Sequence, residues 1–364
     1  MAKGKNLFIS GGVNLPQAIQ LIKSVGPDTA LLFTGEPGIG KSAMHYLLKE
    51  EDKKSEYHHV YFDCTNTDPA DIFMRIPNRD SASLDFMLTS LIPRDGKPVI
   101  LMLDEIGKGT RMLRQAAARI FHERVVGDYT LPKGSIVFAT TNNTNDGVGD
   151  VMEAHQTNRL CMVRFKKPTV AAWCAHASDM NIDAMLRTWV QLNPKCLDSY
   201  QELSKEELDQ NEFIFNPSKK SLHFVSPRSL AKCDPIVKAR KMLGDTVTQL
   251  ALAGTAGAAF AQNFMTFQDF EKDVYTPEQI VADPTKLRVP DNDGALWHMV
   301  NKAVDFIKTQ DHMSAYVKYV SRFPRAEHQG IFFSMVITST KTKAIAEKNI
   351  EITRWAINNF DLFM

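Results

Sequence analysis

Three short stretches hold residue types whose spacing could handle a phosphate. They are "GEPGIGKS" at 35–42, "LDE" at 103–105 and "ATTNN" at 139–143. The first fits G-x-x-x-x-G-K-[ST], placed after the apolar run "ALLFT" and before the helical pattern "SAMHYLLKEE". Its glycines let successive backbone N–H groups turn inward around phosphate oxygens, and the helix start beyond adds positive potential. The expected cradle is Gly35, Pro37, Gly38, Ile39, Gly40, Lys41, Ser42 and Ala43. Lys41 is expected to reach the β- and γ-phosphates of a nucleoside triphosphate, and the Ser42 hydroxyl to ligate Mg²⁺. A plain glycine-rich turn is the alternative, and the strand-then-helix context weighs against it.

The second stretch ends a buried-strand pattern, "VILML". There Asp104 is placed to take Mg²⁺, directly or through water, and Glu105 to act as general base on the attacking water. In an open parallel sheet, ligands sit beyond the carboxyl ends of the strands. That places Thr140, Thr141, Asn142 and Asn143 near the γ-phosphate, with Asn142 as the polar sensor. An acidic strand end and a polar turn are the plainer readings of these two stretches.

The elements that must position these groups are legible as five short apolar runs. They are 30–34, 59–63, 99–103, 135–140 and 161–165, mostly apolar throughout, as strands covered on both faces are. Helical patterns alternate with them, which argues for an α/β sheet. In "SAMHYLLKEE" the expected buried stripe is Ala43, Met44, Leu47 and Leu48. In "TRMLRQAAARIFHE" it is Met112, Ala116, Ile120 and Phe121. From Pro168 the strand signal fades and helices follow, interrupted by a polar stretch at 193–226 read as an extended loop. Asp234-Pro235 is expected to kink or restart its helix.

The 364 residues allow two or three compact units, with 44% hydrophobic and 23% charged residues and a net charge of +1. No global field favours nucleic acid or an anionic membrane. The longest small-apolar stretch, from Leu250, is too short to span a bilayer. Five cysteines without a CxxC fit reduced, buried thiols in a cytoplasmic protein, and no histidine pair has good zinc spacing.

GEPGIGKS, LDE, ATTN and an "NRL" before a fifth strand together resemble the AAA+ ATPases. "HERVVGDYTLPKGSIVFATTN" resembles the MoxR branch, as do "VSPRSLAK", "LALAGTAGAAFA" and "PEQIVADP". The resemblance implies a P-loop NTPase AAA+ core, a parallel five-stranded sheet flanked by helices, over residues 1–166 with a β-hairpin at about 124–137. An all-α lid over 167–270 and a helical C-terminal region over 271–364 follow. It implies Arg159 as an arginine finger acting in trans, with Arg164 ranked second, and Arg228 as the lid's sensor arginine. Arg228 falls in a helix start capped by Ser226, where a cation opposes the helix dipole unless an anion sits against it. It further implies ATP and Mg²⁺, a homo-oligomeric ring, expected to be a hexamer, and a protein client beside a von Willebrand factor A domain protein.

Phe73 and Met74, and the hairpin tip at Asp128 and Tyr129, are candidates for touching a client. Ordinary packing explains them as well. Arg111, Arg114 and Arg119 could act in trans, although a solvated face is the plainer reading. Two other functions stay open: a DNA-directed AAA+ motor or loader, which needs a basic aromatic groove, and an ATP-gated assembly module that hydrolyses little. Intact Asp104 and Glu105 argue against the latter.

Overall fold

The computed structural model describes residues 11–80, 83–143, 160–219, 222–267 and 274–358. The chain divides into two compact units, Met1–Lys167 and Pro168–Met364.

Among the described residues of the first unit, nine strands and four α-helices follow one another. Helix α1 is Leu15–Val25, β1 Leu31–Gly35, α2 Ala43–Glu51, β2 His58–Asp63 and α3 Pro69–Ile72. Next come β3 Phe73–Asn78, β4 Ser83–Leu88, β5 Val99–Asp104, α4 Arg111–Glu123, β6 Val125–Val126, β7 Tyr129–Thr130, β8 Ile136–Asn142 and β9 Cys161–Arg164. Five strands form one sheet in the order β2-β5-β8-β1-β9, all pairs parallel. These are the five apolar runs of the sequence. Strand β5 is buried at every position, and its side chains alternate between two cores. Val99, Leu101 and Leu103 pack with Leu113, Ala117, Ile120 and Phe121 of α4. Ile100 and Met102 pack with Ile22 of α1 and with Met44 and Leu48 of α2. Together with the helical second unit, this is the expected α/β P-loop core with a parallel five-stranded sheet flanked by helices.

The buried stripe of α4 lies one position away from expectation at its start. Leu113 and Ala117 are buried, whereas Met112 is 71% exposed. Thr110 caps the helix by accepting the Leu113 N–H, which sets its phase relative to the sheet.

Two features of this unit differ from the sequence reading. Phe73 and Met74, the candidates for touching a client, lie in an antiparallel hairpin in which β3 pairs with β4. The hairpin before β8 is shorter than the expected 124–137: β6 and β7 pair over two residues each, and the Leu131 N–H donating to the Arg124 carbonyl closes its base.

The second unit is helical. One core gathers Trp173, Trp189, Val225, Leu230, Phe260 and Phe264, and a second gathers Met299, Val304, Tyr316, Phe332 and Phe333. The polar stretch 193–226 is anchored rather than extended. It contains a 3-10 turn, Pro194–Leu197, and a helix, Lys205–Gln210, and Ile214 and Val225 are buried. The helix Pro227–Lys238 runs through Pro235 as one element, so the expected restart at Asp234-Pro235 does not occur. That helix ends at Lys238, and the following one, Arg240–Ala256, carries a kink at Gly244 with φ 73°. No helix among the described residues is long and apolar enough to cross a membrane.

Candidate functional site

The glycine loop leaves β1 at Gly35 and enters α2 at Ala43, and its three glycines serve two different needs. A Cβ on Gly35 would meet the Phe165 carbonyl oxygen at 2.7 Å and Ile39 Cδ1 at 2.8 Å, so the backbone there is closely crowded. Gly38 and Gly40 instead carry φ of 76° and 98°, which other residues adopt only with strain. Ile39 plugs the loop into the core beneath the sheet. Glu36, inside the loop, pairs with Lys167 at 3.4 Å, with both side chains buried.

Register then assembles the chemistry. Gly35 lies beside Asn142 in the β1–β8 pairing, and Asp63 lies beside Asp104 in the β2–β5 pairing. Lys41 is buried, and its Nζ donates to Gly35 O at 2.9 Å, Glu36 O at 2.8 Å and Asn142 Oδ1 at 2.7 Å. The other end of the same amide donates from Nδ2 to Glu105 Oε2 at 2.8 Å. Asn142 thus bridges the loop lysine and the acidic residue expected to activate water. Glu105 Oε2 also meets Lys108 Nζ at 3.1 Å. Glu105 takes a left-handed conformation, φ 55°, unusual for a residue with a side chain. Its N–H donates to Thr140 Oγ1 at 3.1 Å.

Asp104 is buried and collects three hydroxyls. Ser42 Oγ donates to Oδ2 at 2.6 Å, Tyr61 OH donates to the same oxygen at 2.7 Å, and Thr140 Oγ1 donates to Oδ1. Burial and the bond to Asp104 push the Tyr61 phenol well above its ordinary pKa, so it stays a donor. Beside Tyr61 lies His45, whose ring centroid is 5.5 Å away and whose Nδ1 is buried without a partner. Burial first, then His59 and Lys49, lowers the His45 pKa to about 4, so the imidazole is neutral at pH 7.

Ser42 and Asp104 fit Mg²⁺ by chemistry: hard oxygen donors, one of them a carboxylate, already 2.6 Å apart. Among the described residues there is no group of three His, Cys, Asp or Glu to hold a metal by itself. An ion here must share substrate phosphates and water, as Mg²⁺ characteristically does.

The remaining sequence candidates lie on other elements or outside the described residues. Arg159 lies outside the described residues. Arg164 is in β9, aligned with Thr34 of β1. Arg228 is exposed in the first turn of its helix, where Ser226 caps by accepting the Ser229 N–H. Arg114 and Arg119 make bonds inside the chain, to Gly107 O and to Glu123 and Gly127 O, while Arg111 is exposed. Asp128 pairs with Arg94 at 2.6 Å, and that guanidinium covers the Tyr129 ring. Phe73 packs on Phe86, and Met74 is exposed. Sequence reasoning missed Tyr61, His45, Lys108 and Lys167. Their types carry no motif, and only strand register and helix phase bring them to the site.

No family model matches the chain, and no curated protein matches it. Solved structures similar to it include NtrX from Brucella abortus in complex with ATP, at 13% identity over 100% of this chain and 70% of that one, TM-score 0.31. A putative ATPase from Cytophaga hutchinsonii is 15% identical over 83% of this chain and 79% of that one, TM-score 0.32. Closed-state Hsp104 with ATPγS and FITC casein is 13% identical over 46% of this chain and 34% of that one, TM-score 0.33. Superpositions this loose carry no argument, and the P-loop reading rests on topology and on the geometry of the site.

Proposed function

We propose that this chain is a Mg²⁺-dependent ATP hydrolase of the AAA+ class, similar to the MoxR branch. The observation that carries the reading is one bridge. Asn142 joins Lys41 of the glycine loop to Glu105, while Ser42 of the same loop meets Asp104. The residues we read as a phosphate cradle, a metal-binding pair and a water-activating carboxylate thus lie together at the carboxyl ends of β1, β5 and β8, where a parallel sheet presents its ligands.

In the mechanism, backbone amides from Gly35 to Ala43 wrap the phosphates, and Lys41 leaves Asn142 to meet the β- and γ-phosphates. Ser42 and Asp104 would hold Mg²⁺, which when bound would supply positive charge against the charge developing on the phosphate oxygens. Glu105 accepts a proton from the attacking water, and Asn142 Nδ2 keeps that carboxylate in position. Arg159, supplied to the neighbouring subunit, and Arg228 are the proposed cations that stabilise charge on the γ-phosphate. A finger acting in trans requires assembly. We therefore read the active form as a ring, a hexamer by resemblance, that remodels a protein client beside a von Willebrand factor A domain partner. Met74 on β3 presents an exposed apolar side chain that suits client contact. Four of the five cysteines are buried and none is in a disulfide, which suits the reducing cytoplasm.

Purified Lys41→Ala and Glu105→Gln proteins test this. Lys41→Ala is expected to lose nucleotide binding. Glu105→Gln is expected to bind ATP and lose turnover by about 10²-fold or more. Parent-like ATP consumption by Lys41→Ala sinks the reading.

A further inference from the structure

Three hydroxyls converge on the Asp104 carboxylate, and they do not have equivalent tasks. Ser42 belongs to the glycine loop and must turn its oxygen toward an ion in order to ligate it. Thr140, at the end of β8, holds Oδ1. Tyr61, on the sheet-edge strand β2, holds Oδ2 at 2.7 Å. When Ser42 releases Oδ2, Tyr61 is the donor that keeps that oxygen in place.

The carboxylate needs this support because the Asp Cβ–Cγ torsion is soft and broad, so a single anchored oxygen leaves the plane free to turn. Tyr61 is itself well held. Its ring lies 5.5 Å from the His45 ring and 6.4 Å from the Tyr46 ring, centroid to centroid. Its backbone is fixed by the β2–β5 pairing, where it stands opposite Met102, two residues before Asp104.

We infer that Tyr61 is a positioning residue for the divalent-cation site: its hydroxyl fixes the plane of Asp104 so that the lone pair now covered by Ser42 is presented to a hard cation. The inference rests on the nucleotide reading above, and it goes further by assigning to an edge-strand tyrosine the geometry of the metal ligand. Partners that orient a metal ligand in this way typically contribute 10–100-fold in metal affinity.

The test uses Tyr61→Phe, which removes the hydroxyl and keeps the ring against His45 and Tyr46. Binding of N-methylanthraniloyl-ADP is measured first in EDTA and then across a Mg²⁺ titration, with Mn²⁺ binding followed by EPR as a readout independent of turnover. The expected result is metal-free nucleotide affinity within about twofold of the parent and half-saturating Mg²⁺ and Mn²⁺ raised about 10–100-fold. Tyr46→Phe, whose ring borders Tyr61, should leave the metal titration at the parent value. Half-saturation within about twofold of the parent in Tyr61→Phe overturns the inference. So does an equal loss of metal-free affinity and melting temperature, which marks a merely structural tyrosine. Should Tyr61→Phe not fold, Tyr61→Met, which also lacks the hydroxyl, takes its place under the same criteria. Lys41→Ala is run in parallel: if it binds the labelled nucleotide like the parent, the nucleotide reading fails, whatever Tyr61 does.

Discussion

Removing the Asn142 amide should separate nucleotide binding from hydrolysis, and in opposite directions. In the resting protein, Asn142 Oδ1 accepts from Lys41 Nζ at 2.7 Å, a hydrogen bond to a buried cation. Bonds of that kind contribute about 1.5–3 kcal/mol. Lys41 must give up this acceptor to reach a phosphate, so the bond competes with the nucleotide. In Asn142→Ala the competition is gone. The resting state is raised by roughly 1.5–3 kcal/mol, which ligand binding then recovers. At 1.4 kcal/mol per decade, Mg-ADP should bind about 10- to 100-fold tighter.

The same substitution strips Glu105 Oε2 of the Asn142 Nδ2 donor and leaves it with Lys108, 3.1 Å away. A general base drawn toward a lysine is badly aimed at water, so turnover should fall by about 10²-fold or more. ADP is the right probe of the first effect, because Asn142 is proposed to act at the γ-phosphate and its loss there would confuse an ATP titration. Calorimetry with Mg-ADP, phosphate release from ATP and a melt of the nucleotide-free protein read the three consequences. The melt should drop by a few degrees. If ADP affinity falls along with turnover, the Lys41–Asn142 bond is not one that the nucleotide displaces, and the argument is wrong. Unchanged turnover refutes the role given to Glu105 orientation.

Two further expectations separate kinds of strain and charge. Gly40→Ala should fold with a loss of about 1–2 kcal/mol, because its φ is 98° but a Cβ there meets nothing within 4 Å, whereas Gly35→Ala should lose more, since its Cβ meets the Phe165 carbonyl oxygen at 2.7 Å; urea unfolding ranks the two. His45 should make the first unit less stable as pH falls. Its folded pKa of about 4 is below the ordinary 6.5, so the unfolded chain binds the extra proton between those values, and stability is complete above about pH 6.5 and declines down to about pH 4. His45→Phe should flatten that slope in denaturation series between pH 7 and 4.5, and an unchanged slope refutes the assignment.

What the sequence disclosed and what it withheld follow from the range of the forces involved. GEPGIGKS, LDE and ATTN are local: each puts its chemistry within a few residues, and each lies at the carboxyl end of a strand whose apolar run is continuous because both faces are covered. Strand β5 shows why that works, since all six of its residues are buried. The β3–β4 hairpin gave no such signal. Most of it is exposed, Pro77 interrupts β3, and the partners Arg75↔Phe86 and Ile76↔Asp85 do not alternate as a half-buried pair would. Met112 was misplaced for a different reason. The repeat 112, 116, 120 and the repeat 113, 117, 120 are both helical, and the choice between them falls to the Thr110 cap and the sheet beneath. Tyr61 is the sharpest case. Nothing in "HVYFD" distinguishes a tyrosine facing solvent from one bound to a carboxylate on the next strand. Its role exists only once β2 and β5 pair in the register that sets Asp63 beside Asp104. Motif residues therefore report which chemistry is present, while the residues that aim it are chosen by pairing register. Functional positions outside a motif are accordingly best sought among the strand neighbours of the motif's own ligands.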